Sequence, residues 1–261
     1  MKIAISGKGG VGKSTVAAAI ALTLAGRGQR VLALDADPDA NLAAALGIPS
    51  SVAINPISRE LDLIEERTGV KLEGYSKVFK LNPEVSDVAE RFAVRHRGVE
   101  LVVLGAIRNG GGGCACAEST FIQALVNDLV LYKDETLVMD MEAGIEHLGR
   151  ATATGVDVMI AVMEPGQRAV DCARSVLRLS EEIGLTRFVL VGNKVTAPAD
   201  EQFLRDAFPG RVFAAFLPYA EHIRRADRDG VSVLDAFGPV ELAAAADIIS
   251  AAEAFGEEKH S

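Results

Sequence analysis

The sequence predicts an α/β fold, a doubly wound and mainly parallel sheet with helices on both faces. Three observations carry that expectation. Short β-rich runs alternate with longer amphipathic stretches along the chain. Some of the short runs, VMIAVM among them, are apolar throughout, as strands covered on both sides must be. The first run, Lys2–Ser6, passes through a glycine-rich turn directly into a helix-like stretch, Lys13–Ala25.

Composition narrows the class. The chain has 261 residues, 49% hydrophobic and 24% charged, which is enough for a full core. It reads as one domain over 1–261 with a less regular insertion at about 48–98. A net charge of −9 with no Lys/Arg block argues against nucleic acid or an anionic membrane as partner. No apolar run approaches the roughly 18 residues of a membrane-spanning helix. MKIAIS runs straight into the glycine loop and leaves no room for a signal peptide. Three cysteines, two of them nearly adjacent, do not make a secreted disulfide framework. A cytoplasmic protein is expected.

The first element gives the strongest motif. After Ser6 the chain reads Gly7-Lys8-Gly9-Gly10-Val11-Gly12-Lys13-Ser14-Thr15, matching G-x-x-x-x-G-K-S/T between a strand and a helix. The glycines let backbone N–H groups turn inward around phosphate oxygens, and the new helix adds its positive end. Lys13 then reaches the terminal phosphates and the Ser14 hydroxyl ligates Mg²⁺. A second strand, Arg30–Leu34, delivers Asp35-Ala36-Asp37-Pro38, with two carboxylates on one side of an extended segment. They suit Mg²⁺ support and water positioning, or else a capped turn. Asn41 follows in the same loop.

Residues 48–98 carry Pro49, Pro56 and Pro83 and show one helical stretch, Ser58–Thr68. Next come the strand Val99–Leu104, the run Gly110–Gly113, Cys114-Ala115-Cys116, and the helix Ser119–Leu131. The strand Thr136–Asp140 ends at Asp140, which fits a Walker-B-like acid, with Gly144 as a second switch hinge. Further strands are Val158–Val162, Phe188–Val191 and Val212–Leu217, with helices Val170–Ile183 and Val240–Phe255. Asn193 follows a strand, where its amide can pair with adenine's donor and acceptor edge. Cys172 sits inside a helix and reads as packing.

The two paired cysteines admit three readings. They are small buried hydrophobes, a strained redox pair, or half of a four-thiolate metal site. A two-fold dimer would complete the last by presenting the same patch twice. Cys116 also lies close to a helix start, which favours its thiolate form.

GKGGVGKST resembles the deviant Walker motif of MinD/ParA-type ATPases. The resemblance implies a P-loop NTPase fold and a dimer that sandwiches ATP. In it Lys8 contacts the partner's nucleotide, as an arginine finger does elsewhere. It implies Asp35 near Mg²⁺, Asp37 orienting the attacking water, and Pro218 and Tyr219 packed around the base. Taken with DADPD, Cys-x-Cys before a helix, VMDMEAGIEHL, MIAVMEP and NKV, it resembles CooC-type proteins more closely. These are the nickel-insertion accessory ATPases of carbon monoxide dehydrogenase, and the shared motifs run from residue 1 to about 220. That resemblance implies an ATP- and metal-dependent homodimer binding Ni²⁺ or Zn²⁺ through Cys114 and Cys116, with carbon monoxide dehydrogenase as client. Two competing classes are a positional switch of the ParA or MinD kind and an iron-protein-like ATP-dependent reductase with an Fe–S cluster. The acidic tail AAEAFGEEKHS disfavours the first, and the close spacing of the cysteines disfavours the second.

Overall fold

The computed structural model describes residues 1–70, 79–106, 117–132, 135–143 and 150–257. Its strands are β1 (Lys2–Ser6), β2 (Val31–Ala36), β3 (Val94–His96), β4 (Val99–Val103), β5 (Thr136–Met141), β6 (Val158–Met163), β7 (Phe188–Val195) and β8 (Phe213–Pro218). They form one sheet in the order β3-β4-β2-β5-β1-β6-β7-β8. Every neighbouring pair is parallel except the hairpin of β3 and β4. The doubly wound fold expected from the sequence is therefore present.

The helices are α1 (Lys13–Gly26), α2 (Leu42–Leu46), α3 (Leu61–Thr68), α4 (Val88–Phe92), α5 (Ala117–Tyr132) and α6 (Arg150–Ala153). They continue with α7 (Gln167–Glu182), α8 (Pro198–Ala207), α9 (Glu221–Asp229), α10 (Val233–Ala236) and α11 (Pro239–Glu257). Within 48–98 lie a short 3₁₀ turn at Ile57–Arg59, α3, α4 and β3.

Strands β1, β2, β5 and β6 are buried at every position, which explains why they are largely apolar and β6 wholly so. Alternate residues feed two cores. Ile3 and Ile5 face one with α1 and α11, while Ala4, Leu32 and Leu34 face the other with α3 and α5. Helix α1 is buried almost all round, and its run Ala17-Ala18-Ala19 lets it lie close against the sheet. No helix among the described residues is long and apolar enough to cross a membrane.

Candidate active site

The loops following β1, β2, β5, β7 and β8 all emerge at the carboxyl ends of parallel strands, where doubly wound sheets hold their ligands. Those after β1, β2 and β8, with the end of β7, surround a cavity of about 410 Å³ lined by Gly12, Lys13, Asp37, Asn193, Tyr219 and Arg224, among others. That volume lies in the range for small-molecule sites.

Its floor is the glycine loop, and two glycines are required sterically. Gly7 has φ +156°, and a Cβ there would stand 2.2 Å from the Val162 carbonyl oxygen of β6. Gly12 has φ +96°, and a Cβ would stand 2.3 Å from Asn193 Nδ2. Helix α1 starts with no side-chain cap and no acid in its first turn. Its first N–H groups and its partial positive charge are thus left facing the cavity. Gly9, Gly10, Ser14 and Thr15 line the same space, while Val11 is buried behind it.

Lys13 is 5% exposed, and its Nζ lies 3.2 Å from Asp37 Oδ2. Asp37 Oδ1 accepts the Asp39 N–H at 3.1 Å, which turns the chain out of β2. Asp35 is fully buried and in register with Asp140 on the adjacent strand. Its carboxylate orders the loop, accepting N–H bonds from Asp37 at 3.3 Å and Leu42 at 2.9 Å. Burial, and then the Asp140 charge, push the Asp35 pKa up to about 7 against the pull of those bonds.

Burial likewise pushes Asp140 up to about 6, opposed by the nearby Ser14 hydroxyl and the Lys13 charge. Neither Asp140 oxygen has a hydrogen-bond partner of good geometry among the described residues. Two buried, unpartnered carboxylate oxygens beside a hydroxyl are donors that suit a hard cation such as Mg²⁺. The described residues contain no group of three or more His, Cys, Asp or Glu able to enclose a metal unaided. A cation held here takes its remaining ligands from water or from the phosphates of a nucleotide, the usual arrangement for Mg²⁺.

Asn193, 9% exposed, donates from Nδ2 to the Val11 carbonyl at 2.8 Å and accepts the Lys194 N–H at 2.9 Å. Half of its amide is thus spent on the glycine loop, and one N–H and one lone pair remain for a base. Pro218 and Tyr219 line the same cavity. The Tyr219 hydroxyl donates to Glu221 at 3.2 Å, and Arg224 grips Glu221 at 2.7 and 2.9 Å. Those bonds, that from Arg224 above all, hold Glu221 at about 2. Lys8 is half-buried and makes no ion pair among the described residues. Cys114, Cys116 and Gly144 lie outside the described residues.

A model of the CobQ/CobB/MinD/ParA nucleotide-binding domain matches residues 2–233. The chain belongs to that family. The carbon monoxide dehydrogenase accessory protein CooC of Rhodospirillum rubrum is 40% identical over 237 residues, 90% of each chain. An uncharacterized ATP-binding protein of Methanocaldococcus jannaschii is 37% identical over 230 residues, 87% of this chain and 88% of its own. Among solved structures, the MinC:MinD cell division complex of Aquifex aeolicus matches with a TM-score of 0.65, covering 98% of this chain and 96% of that one. A ParA family ATPase from Chlorobium tepidum matches with a TM-score of 0.67, covering 96% and 97%. Both are 18% identical and speak for the fold alone. The likeness to MinD/ParA-type and CooC-type ATPases expected from the motifs is borne out, and the chain is a P-loop ATPase.

Arg224 and Lys194 are among the cavity residues that escape a reading of the sequence. Arg224 belongs to α9, a strongly amphipathic and highly charged helix in which nothing marks one arginine as facing a cavity. Lys194 has φ +58°, a conformation that nothing in NKV signals.

Proposed function

We propose that the cavity binds ATP with Mg²⁺, and that hydrolysis there opens and closes a homodimer serving maturation of carbon monoxide dehydrogenase in the cytoplasm. In the closed dimer, Cys114 and Cys116 of each subunit together bind Ni²⁺ or Zn²⁺ as cargo. The observation that carries this reading is the 40% identity to CooC of Rhodospirillum rubrum over 90% of both chains.

The residues divide the work as follows. Gly7 to Thr15 cradle the phosphates with backbone N–H groups, and the end of α1 adds its dipole. Ser14 and Asp140 hold the cation, with Asp35 behind them keeping the loop in place. When bound, Mg²⁺ neutralises charge on the phosphate oxygens. Lys13 exchanges its Asp37 partner for the terminal phosphates, and Asp37 is then free to orient the attacking water. Lys8, which has no ion-pair partner among the described residues, reaches the nucleotide of the other subunit. The remaining half of the Asn193 amide meets adenine, whose faces pack on Pro218 and Tyr219.

Metal analysis after gel filtration with ATP and Ni²⁺ tests the cargo site. One metal ion per two chains is expected, with loss of the metal in the variant carrying both Cys114→Ser and Cys116→Ser. Unchanged metal content in that variant would sink the cysteine assignment. A second measurement tests action in trans. Lys8→Ala and Asp37→Ala proteins are each expected to be inactive alone and to recover part of the ATPase rate when mixed, because a heterodimer has one intact site. Absence of recovery would place Lys8 in its own subunit's chemistry.

A further inference from the structure

We propose that Lys194 is a positioning residue that, with Asn193, holds the glycine loop in its anion-binding form before nucleotide arrives. This rests on the reading of the cavity as the ATP site. A loop that turns its N–H groups inward must turn carbonyls outward, and each of those needs a donor. The carbonyls can be followed one by one. That of Lys8 takes the Val11 N–H at 3.3 Å, and that of Gly12 takes the Val16 N–H at 3.1 Å. Of the three between them, those on Gly10 and Val11 are supplied by Lys194 Nζ and Asn193 Nδ2. Consecutive residues of β7 thus hold consecutive carbonyls of the loop.

The backbone of β7 is bent to make this reach. Gly192 pairs with Phe216 and Val195 with Pro218, so one extra residue is inserted on β7. Lys194 occupies this bulge in the left-handed region, which a lysine adopts at a cost that glycine escapes. Its Nζ also lies 3.8 Å from Glu164 Oε2, just beyond β6. The ammonium therefore joins β7 to the loops after β1 and β6, and it is against Val162 of β6 that a Cβ on Gly7 would clash.

The glycine variant separates binding from stability. In full-length Lys194→Gly the backbone strain is relieved, so the melting temperature without nucleotide is expected to stay level or rise. Affinity for Mg·ADP by calorimetry is expected to fall about threefold to tenfold, the loss of one hydrogen bond from a charged and partly exposed donor. The ratio of ADP to GDP affinity is expected to stay constant, because the clamp acts on the phosphate loop and not on the base. Lys194→Arg should recover at least part of the lost affinity. Wild-type binding with an unchanged Lys194→Gly affinity overturns the clamp alone, and an altered ADP to GDP ratio reassigns Lys194 to base recognition. Wild-type protein that fails to bind ADP overturns the reading of the cavity, and the clamp with it.

Discussion

Lys13→Ala is expected to lower ATP turnover by about 10²–10³-fold, the scale for losing one preorganised charge donor at a transition state. Lys13 is nearly buried and makes its one described ion pair with Asp37, so its charge acts where water screens it poorly. The same pair gives Asp37 an opposite effect on binding and on rate. While Asp37 holds Lys13 at 3.2 Å, an entering phosphate must compete for the ammonium. Asp37→Asn removes the competitor, and Mg·ADP is expected to bind several-fold more tightly. Turnover is expected to fall nonetheless, because the carboxylate that orients water is gone. Calorimetry with ADP and steady-state phosphate release measure the two effects on the same samples. Asp37→Asn with wild-type turnover would remove Asp37 from the chemistry. Lys13→Ala retaining more than about a tenth of the rate would do the same for Lys13.

The parts of this molecule legible in its sequence are those where one physical demand dominates. Strands covered on both faces are largely apolar, so β1 and β5 fall within a residue of where their composition places them. The glycine loop is legible because φ values of +156° and +96° exclude other residues, and because a spaced Lys-Ser supplies the chemistry. Where demands mix, the pattern fades. Helix α8 buries only Leu204 among its ten residues, so no stripe announces it. Strand β3 is three residues long on a sheet edge and offers no alternation to read. Strand β7 runs on to Val195, beyond its apolar part, because Val195 still pairs with Pro218 of β8 across the bulge. In the site, residue types foretold the acids but not their division of labour. Asp35 and Asp37 stand two apart, yet Asp35 spends its oxygens on backbone N–H groups and Asp37 faces Lys13. That difference arises from the turn after β2, which no spacing encodes.

Without metal, the protein is expected to lose stability as pH rises from about 4 to about 7, the reverse of the usual acid sensitivity. Asp35 is raised from 3.8 to about 7 and Asp140 from 3.8 to about 6, both chiefly by burial. The folded state therefore keeps protons that the unfolded chain releases. Their contribution is full below the unfolded value near 4 and is lost as pH climbs through the folded values. For Asp35 alone the change is on the order of 4 kcal/mol, and the pair titrates as a coupled unit. Carboxylates with lowered values, such as Glu221 and Asp87, contribute the opposite slope, but only in more acid solution. Asp140→Asn isolates the effect, because Asp140 has no well-aligned hydrogen bond to forfeit, whereas Asp35→Asn would face two backbone donors with one acceptor. In EDTA at pH 8 this variant is expected to melt about 5 °C above wild type, and the gap should fall to about half near pH 5 and close only below about pH 4. Saturating Mg·ADP at pH 8 should reverse the order, since a cation favours the ionised acid that the variant lacks. Melting curves in EDTA from pH 5 to 8 decide the matter: a wild-type profile that rises with pH across that range would mean that these two acids are ionised in the folded protein, with compensating charge already in place around them.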